Sequence, residues 1–379
     1  MRVLYAAHTA LVSGAERSLL ELLLGLPPDV EPLLACPPGP LADEVIGSGI
    51  GWAPLPATAG SLKLHPVHTP VALAELGRIA LRLRRIARTA HVDLIHANTL
   101  QVALAAGLAR PSPPLVVHVR DCLPNARAGR LVRRWIDASA DALIGISRFT
   151  ADCWGPGVDT VIPNAVDTGR FDPAAADNAG VRAELAIPGV APVLAIVAQI
   201  TPWKGQLDAI EAFSLIRRQH PHARLLVVGE PKFVFASTRY DNTAYLEELH
   251  AAVERLGLAG SVYFLGERAD VPDVMAAADL LLVPSWEEPF GRTIIEAMAM
   301  GVPAVATAAG GPSEIIDDGD DGVLLPPREP SRWAVVASEL LGDRERLAQM
   351  GERGRRKARE RYSRAAHVER VVEVYRHLV

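Results

Sequence analysis

A chain of 379 residues exceeds the roughly 100 to 200 residues of most single domains, so its length favours two domains. Hydrophobic residues make up 49% of the chain and charged residues 22%, which is typical of a folded globular protein and argues against disorder. The formal net charge of −5 gives no general basic field, so nucleic acid is not an expected partner.

The three cysteines, Cys36, Cys122 and Cys153, are an odd set without C-x-x-C spacing, which predicts neither a disulfide framework nor a zinc site. This pattern favours a reducing cytoplasm. The first apolar run is too short for a signal sequence, and no run of eighteen apolar residues occurs in the sequence. We therefore expect a cytoplasmic protein that is soluble or peripheral at the inner face of a membrane.

The first half of the chain alternates short apolar runs with longer amphipathic stretches, and this alternation predicts a parallel sheet. The runs are apolar throughout, as expected when helices cover both faces of the sheet. The predicted strands are 3–7, 32–35, 93–96, 115–119 and 142–146.

A basic amphipathic helix is predicted over residues 71–89. One stripe of this helix is apolar, with arginines beside it, and consists of Leu73, Leu76, Ile79, Leu83 and Ile86. Two interpretations stay open: the stripe packs on its own sheet with the arginines solvated, or the helix binds a membrane surface. Two further arginine clusters occur, at 127–134 and 353–364.

The pattern lapses between Asn164 and Pro192, where we place a linker, and then restarts. The second set of predicted strands is 193–198, 224–229, 262–265, 280–284 and 303–307. Two doubly wound α/β domains in series result. The tail 343–379 is helical by composition, and its simplest interpretation is a terminal helix that closes a core.

The most informative segment covers residues 283–303, where a predicted strand ends and a helix begins. Pro289 and Gly291 shape the turn between them. A helix leaves its first backbone N–H groups without a partner inside the helix, so this turn predicts an anion-binding site. The amides involved belong to Phe290, Gly291, Arg292 and Thr293.

Two glutamates flank this anion site, Glu288 before the turn and Glu296 within the helix. A carboxylate accepts hydrogen bonds and can bridge a vicinal diol such as a ribose, whereas it would repel a phosphate. The alternative is that Glu296 is a surface helix residue and that Glu288 only complements the helix dipole.

In order and spacing, Glu288-Pro289-Phe290-Gly291 followed by Glu296 resembles the E-x7-E motif of retaining glycosyltransferase family 4. The resemblance implies the α/β GT-B fold, in which two doubly wound Rossmann-like domains face a central cleft. It also implies that Glu288 contacts the donor sugar, that the amides after it hold the diphosphate of a UDP- or GDP-linked sugar, and that Glu296 binds the ribose.

We accordingly expect two domains with different substrates. Residues 1–167 would form the acceptor-side domain, with the C-terminal helix 362–379 packed back on it. Residues 168–361 would bind the nucleotide-sugar donor.

A second match is the segment 197–206, where Lys204 follows a predicted strand in a short loop. The resemblance implies that its positive charge stabilises the negative charge that builds on the leaving diphosphate. A solvated loop lysine is the alternative. Gln199 departs from the family pattern, which has arginine at this position, so it can offer the donor phosphate a hydrogen bond but no charge.

In the first half, the resemblance implies that the amides of Gly14 and Ala15 meet the diphosphate and that His118 contacts the sugar. Glycine lets a backbone approach a ligand closely. Ser13 and Glu16 also fit a capping box, and the two interpretations are compatible. His118 ends a predicted strand at the edge where doubly wound folds bind ligands, although a lone strand histidine is often a buried structural one.

The catalytic roles thus fall to His118, Lys204 and Glu288. The resemblance implies a reaction on one face of the sugar through a short-lived oxocarbenium-like ion pair, without a metal or other cofactor. The acceptor would be a hydroxyl of a glycan, a glycolipid or a small molecule. High Ala and Arg usage is typical of a bacterial protein from a GC-rich genome.

Other function classes remain as alternatives. A nucleotide-sugar epimerase would share the fold and the diphosphate site, and product formation without an acceptor would identify it. A dinucleotide-dependent oxidoreductase would also use doubly wound domains, but no G-x-G-x-x-G follows the strands at 3–7 or 193–198. An inactive binding protein is suggested by Gln199 and disfavoured by the retained Lys204, Glu288 and Glu296.

Overall fold

The computed structural model describes residues 1–57, 68–109, 113–123, 126–232 and 240–379, and of residues 68–72 it describes the backbone. The chain divides into two compact units. Unit 1 contains Met1–Ala165 and Arg364–Val379, and unit 2 contains Val166–Ser363.

Along most of unit 1, strands alternate with helices. The strands are β1 (Arg2–Ala6), β2 (Glu31–Cys36), β3 (Gly51–Pro54), β4 (Leu94–Ala97), β5 (Leu115–Val119), β6 (Ala142–Gly145) and β7 (Thr160–Val161). The helices are α1 (Gly14–Leu24), α2 (Pro40–Gly47), α3 (His68–Thr89), α4 (Leu100–Leu108), α5 (Arg127–Ser139) and α6 (Arg148–Trp154).

The described strands of unit 1 form a seven-stranded parallel sheet in the order β3-β2-β1-β4-β5-β6-β7. Helices α3, α4 and α5 contribute to the core on one face, and α1 and α2 to the core on the other. Every residue of β4, β5 and β6 is therefore buried, which explains why these strands read as continuous apolar runs.

The prediction that the cysteines form no disulfide is wrong. Cys122 and Cys153 form a disulfide, and their Cα atoms lie 5.4 Å apart. The bond joins the loop after β5 to helix α6, across 31 residues of sequence. Spacing alone could not reveal it, because the neighbouring positions of β5 and β6 in the sheet bring the two segments together. Cys36 is a buried free thiol at the end of β2.

Unit 2 repeats the alternation. Its strands are β8 (Val193–Val197), β9 (Arg224–Val228), β10 (Val262–Gly266), β11 (Leu280–Val283), β12 (Ala304–Thr307) and β13 (Gly322–Leu325). Its helices are α7 (Asn178–Glu184), α8 (Gln206–Gln219), α9 (Asn242–Arg255), α10 (Val271–Ala277), α11 (Arg292–Ala299), α12 (Pro312–Ile315), α13 (Pro330–Gly342) and α14 (Arg344–Arg361).

Within the described part of unit 2, the strands form a six-stranded parallel sheet in the order β10-β9-β8-β11-β12-β13. Its core includes Phe213 from α8, Leu249 from α9 and Leu340 from α13, all packed with the buried faces of β8 and β9. The strand order reverses between β8 and β11, and this reversal positions the site described below.

The tail is helical, as predicted, but it forms two helices in different units. After α14, the chain continues in α15 (Arg364–Leu378), which returns to unit 1. Val371 and Tyr375 of this helix are fully buried in the core that α1 also lines. The guanidinium of Arg364 lies 2.8 Å from the carboxylate of Glu21 on α1.

The predicted strands are all present, with ends shifted by at most one residue. Strands β3, β7 and β13 were not predicted, because they have only two to four residues each and are only partly buried. The predicted linker contains helix α7, whose N-cap Asp177 accepts a hydrogen bond from the amide of Gly180 at 2.8 Å. No helix within the described ranges is both long enough and apolar enough to cross a membrane.

Candidate functional site

In unit 2, three loops meet at the carboxyl edge of the sheet. β8 lies beside β11, and β11 lies beside β12, so the residues that follow these three strands emerge together. The strand order reverses at the β8–β11 pair. Doubly wound sheets bind ligands at such a reversal, because the loops on its two sides lead away in opposite directions.

The turn after β11 presents a group of backbone amides without partners. Helix α11 begins at Arg292, with Gly291 as its N-cap. The amides of Phe290, Gly291, Arg292 and Thr293 donate no hydrogen bond to any residue that the structure describes. Because the positive end of the helix dipole lies at the same place, this turn can hold an anion such as a diphosphate.

Lys204 and Glu288 form an ion pair beside this turn. Lys204 ends a 3-10 turn after β8, and Glu288 lies in the loop after β11. Nζ of Lys204 lies 2.5 Å from Oε2 of Glu288, and the hydroxyl of Ser285 donates to the same oxygen at 3.0 Å. The two charged side chains are only 17% and 11% exposed, so water screens them weakly and they act strongly on a nearby charge.

Trp286 holds the two loops of this ion pair together. Its backbone N–H donates to the carbonyl of Trp203, the residue before Lys204, at 2.8 Å. Its indole N–H donates to the carboxylate of Asp208 on α8 at 3.0 Å. Lys204 and Glu288 therefore belong to one connected piece of structure, although they are far apart in sequence.

Two glycines permit this close approach of the loops. Gly205 has φ +71°, and a Cβ at this position would lie 2.2 Å from the carbonyl oxygen of Pro284. Gly310, in the loop after β12, has φ +99°, and its Cβ would lie 2.2 Å from the carbonyl oxygen of Glu288. Only glycine combines the positive φ with the missing side chain that both positions require.

Glu296 forms a second ion pair, with Arg292 one helical turn before it. A guanidinium nitrogen lies 2.8 Å from Oε1 of Glu296, and the side chains are 12% and 11% exposed. The pairing fixes the direction of the carboxylate and engages one of its oxygens. The second oxygen can accept a hydrogen bond from a ligand hydroxyl.

Gln199 follows β8 at the same edge. Its side-chain amide donates to the backbone carbonyl of Lys232 at 3.2 Å, and its backbone carbonyl accepts from the side-chain amide of Gln206 at 2.8 Å. The nitrogen of that side-chain amide of Gln199 has a second N–H, which can make the predicted hydrogen bond to a phosphate.

In unit 1, Gly14 and Ala15 open helix α1, and the predicted capping box of Ser13 and Glu16 is present. A Cβ on Gly14 would have no atom within 4 Å, so the backbone there faces open space. The carbonyl of Ala15 accepts from the side chain of Asn98 at 3.3 Å. Contact of these amides with a diphosphate stays a prediction.

His118 lies in a buried cluster under helix α15. Its Nδ1 lies 3.1 Å from Nε2 of His96, and Nδ1 of His96 lies 2.6 Å from the hydroxyl of Tyr375. Nε2 of His118 is buried and has no hydrogen-bond partner among the described residues. Burial, helped by the charge of Arg120, lowers the pKa of His118 well below its usual value and that of His96 to about 3. Both imidazoles are therefore neutral, and contact of His118 with a sugar stays a prediction.

Arg120, for which the sequence predicted no role, organises a buried polar network at the same edge of unit 1. Its guanidinium donates to the side chains of Asn98 at 3.1 Å, Ser18 at 3.0 Å and Asn164 at 2.9 Å. One side chain thus joins segments that follow β4, β5 and β7 to helix α1. The signal was a charged residue placed directly after an entirely apolar strand.

Two family models match the chain, one over most of each unit. The model described as Glycosyltransferase Family 4 matches residues 12–170, and the model described as Glycosyl transferases group 1 matches residues 178–357. A protein of Kineococcus radiotolerans named D-inositol 3-phosphate glycosyltransferase is 31% identical over 323 residues, which cover 76% of this chain and 72% of that protein. The chain belongs to glycosyltransferase family 4.

Further relatives of this family 4 chain carry the same name. The proteins of Segniliparus rotundus and Nocardia farcinica are 39% and 34% identical to it, over 51% and 69% of this chain and 41% and 56% of their own lengths. The chain thus spans about half the length of these two relatives.

Solved structures of other proteins share the fold over the whole chain. Anabaena Alr3699/HepE, in complex with UDP-glucose, is 26% identical with a TM-score of 0.86, and the match covers 100% of both chains. Sucrose-phosphate synthase from Thermosynechococcus elongatus, at 20% identity and a TM-score of 0.79 over 100% of this chain and 98% of its own, supports the fold alone. The predicted GT-B fold class, with two doubly wound α/β domains, is confirmed.

Proposed function

We propose that this family 4 protein moves a sugar from a nucleotide-diphosphate donor to an acceptor hydroxyl and retains the configuration at the anomeric carbon. The observation that carries the proposal is the turn after β11, where unpartnered backbone amides lie between two ion pairs. A diphosphate needs such N–H donors, and the hydroxyls of a ribose and a sugar need carboxylate acceptors. Glu288 and Glu296 supply those acceptors.

A UDP-linked sugar is the first donor to consider, because the HepE structure at 26% identity is a complex with UDP-glucose. The amides of residues 290–293 would hold the diphosphate, and Glu296 would accept hydrogen bonds from the ribose. Glu288 would contact the sugar. The diphosphate would compete with Glu288 for the ammonium of Lys204, which frees that carboxylate for the sugar hydroxyls.

The proposed chemistry uses electrostatics in place of a protein nucleophile. As the bond between the anomeric carbon and the phosphate oxygen breaks, negative charge grows on the phosphate, and Lys204 and the helix amides stabilise it. The acceptor oxygen attacks on the face that the phosphate leaves, and its proton passes to the departing phosphate oxygen. The products are the nucleoside diphosphate and a glycoside of unchanged anomeric configuration, and no metal or redox cofactor takes part.

For the acceptor, we propose a hydroxyl of a glycan, a glycolipid or a small polyol. Inositol 3-phosphate is the first compound to test, because several relatives are named for it. The acceptor side of the proposal rests on these names, whereas the donor side rests on the geometry of unit 2.

Product analysis by NMR tests this proposal. The protein is incubated with UDP-glucose and a panel of acceptors that includes inositol 3-phosphate, and the anomeric coupling of the new glycoside is measured. An α-linked product from the α-linked donor is expected. A β-linked product would contradict retention, and conversion of the donor to another UDP-sugar without an acceptor would identify an epimerase.

A further inference from the structure

Three neighbouring helices of unit 1 share an outer surface that leaves many apolar side chains exposed. Helix α4 packs between α3 and α5, and all three cover the same face of the sheet. Of the eleven large apolar side chains that are exposed within the described ranges, five lie on these helices. They are Leu73, Leu81, Leu108, Leu131 and Trp135.

Arginines are interleaved with these apolar side chains. Those that are exposed are Arg78, Arg85 and Arg88 on α3, and Arg127, Arg130 and Arg134 on α5. At 3.6 residues per turn, Arg127, Leu131 and Arg134 lie on one side of α5, so charge and apolar surface coincide there. We call these six arginines and five apolar residues the arginine–leucine face.

Trp135 brings the exposed apolar side chains of α5 up to helix α4. A Cβ on Gly107 of α4 would lie 3.0 Å from the indole nitrogen of Trp135 on α5. The absence of a side chain at Gly107 therefore lets the Trp135 ring lie against α4, and the residue that follows Gly107 in the sequence is the exposed Leu108. Leu131, one turn before Trp135, extends the same ridge.

Acidic residues of the described helices leave this positive charge unbalanced. Helices α3, α4 and α5 contain nine arginines but two acidic residues, Glu75 and Asp137. Arg127 and Arg134 form no ion pair with any residue that the structure describes. Unit 1 as a whole has more Arg and Lys than Asp and Glu, so the net negative charge of the chain lies in unit 2.

We propose that the arginine–leucine face docks unit 1 on an anionic phospholipid membrane. The leucines and Trp135 would enter the boundary between headgroups and acyl chains, while the guanidinium groups stay with the lipid phosphates. Tryptophan favours this boundary because its ring is apolar and its N–H is polar. A nucleic acid would bind the arginines but leave the exposed leucines in water. An anionic lipid surface can bind both the arginines and the leucines. This inference does not depend on the proposed enzymatic activity.

Vesicle sedimentation tests the proposal with the full chain. Binding is measured to vesicles of phosphatidylcholine with about a third phosphatidylglycerol and to vesicles of phosphatidylcholine alone. Each basic residue near an anionic membrane contributes about five-fold to partitioning, so the double variant Arg127→Gln/Arg134→Gln should bind about 25-fold more weakly. The control Arg356→Gln/Arg359→Gln removes the same charge from exposed arginines of α14 and should bind like the wild type.

Quenching of tryptophan fluorescence by brominated lipid provides a second readout. Wild-type emission should be quenched on anionic vesicles, and Trp135→Phe should lose most of the quenching while the protein still sediments with the vesicles. The proposal is overturned if the wild type does not bind anionic vesicles, if both arginine variants lose affinity equally, or if quenching persists without Trp135. Self-association that Leu131→Ser abolishes, without vesicle binding, would identify the face as a protein interface instead.

Discussion

At the residue scale, the pairing of Lys204 with Glu288 is the feature that most constrains the chemistry of unit 2. The contact joins residues 84 positions apart, and Ser285 supports it from the neighbouring loop. In a ligand-free site, the pair keeps a cation next to the unpartnered amides of α11 without leaving either charge uncompensated. Under the proposed function, the donor phosphate would then take over this cation.

Removal of this cation gives the first prediction. In Lys204→Ala, the turnover number with the proposed donor should fall by about 10² to 10³, the usual effect of removing one group that stabilises transition-state charge. Steady-state kinetics measure the change. Glu288→Gln should also lose activity, whereas the adjacent Glu287→Gln should not, because the Glu287 side chain is exposed. Equal effects at Glu287 and Glu288 would contradict the assignment.

The buried histidines of unit 1 give a prediction about pH. The pKa of His96 is about 3 in the folded protein, mainly because of burial, and about 6.5 in an unfolded chain. Below pH 6.5, the unfolded state therefore binds a proton on His96 that the folded state does not bind. The stability of the folded state is not reduced by this proton above pH 6.5, and it decreases as the pH falls from 6.5 toward 3. Between pH 7 and pH 5, His96 alone should account for about 2 kcal/mol of lost stability.

Urea denaturation of wild type and His96→Gln at both pH values measures this difference. The variant should be less stable at pH 7 but should lose about 2 kcal/mol less on acidification than the wild type. Val371→Ala, in the same core, controls for destabilisation without a change in titration. If the pH dependence of His96→Gln equals that of the wild type, burial of a neutral His96 is contradicted.

The E-x7-E pattern and the match at 197–206 single out Glu288, Glu296 and Lys204 as candidate site residues, because each belongs to a short local motif. Their partners were not predictable in the same way. The indole contact of Trp286 and the network of Arg120 depend on which strands become neighbours, and local periodicity does not specify that order. His118 shows the same limit, since its burial is completed by the distant helix α15.

At the element scale, the site depends on how closely the loops after β8, β11 and β12 approach one another. Gly205 and Gly310 stand where a Cβ would overlap with a backbone oxygen of the neighbouring loop. From the sequence, these glycines can be placed after predicted strands, but the close contact that they permit cannot be predicted. Their function as spacers follows from the order β8-β11-β12 in the sheet.

Gly205→Ala tests this dependence. The added Cβ must displace the loop of Pro284 or that of Lys204, so we expect a loss of about 1 to 3 kcal/mol in stability and roughly 10²-fold in turnover. Thermal denaturation and steady-state kinetics measure the two effects. Gly319→Ala is the matched control, since Gly319 has a similar φ of +80° but no atom within 4 Å of its Cβ position. If both variants behave alike, crowding at Gly205 is not what fixes the loops.

Element predictions succeeded where burial makes a strand apolar throughout and failed where the strand is short or partly exposed, as in β3, β7 and β13. The disulfide of Cys122 and Cys153 was missed for a related reason. An odd number of cysteines excludes complete pairing, but it leaves open that two of them meet when β5 and β6 become neighbours.

At the scale of the whole molecule, the repeated alternation of strands and helices sufficed to predict two doubly wound units. Strands that are apolar throughout and alternate with helices are typical of parallel sheets with helices on both faces. The return of α15 to unit 1 required more than periodicity, since α14 and α15 form one helical tail in the sequence. The two units also differ in net charge, because the net negative charge of the chain lies in unit 2. The arginine–leucine face lies in unit 1, and the proposed donor site lies in unit 2.

Under the proposed function, unit 2 binds a nucleoside diphosphate through the turn after β11. A thermal-shift screen of the full chain against UDP, GDP, ADP and NAD tests it most directly, with Glu296→Ala and Lys204→Ala alongside. One nucleoside diphosphate at about 100 times its Kd should stabilise the wild type by about 2.7 kcal/mol, and both variants should lose most of that effect. Three results would contradict this binding site: stabilisation by NAD alone, no stabilisation by any of the diphosphates, or variants that are stabilised as much as the wild type.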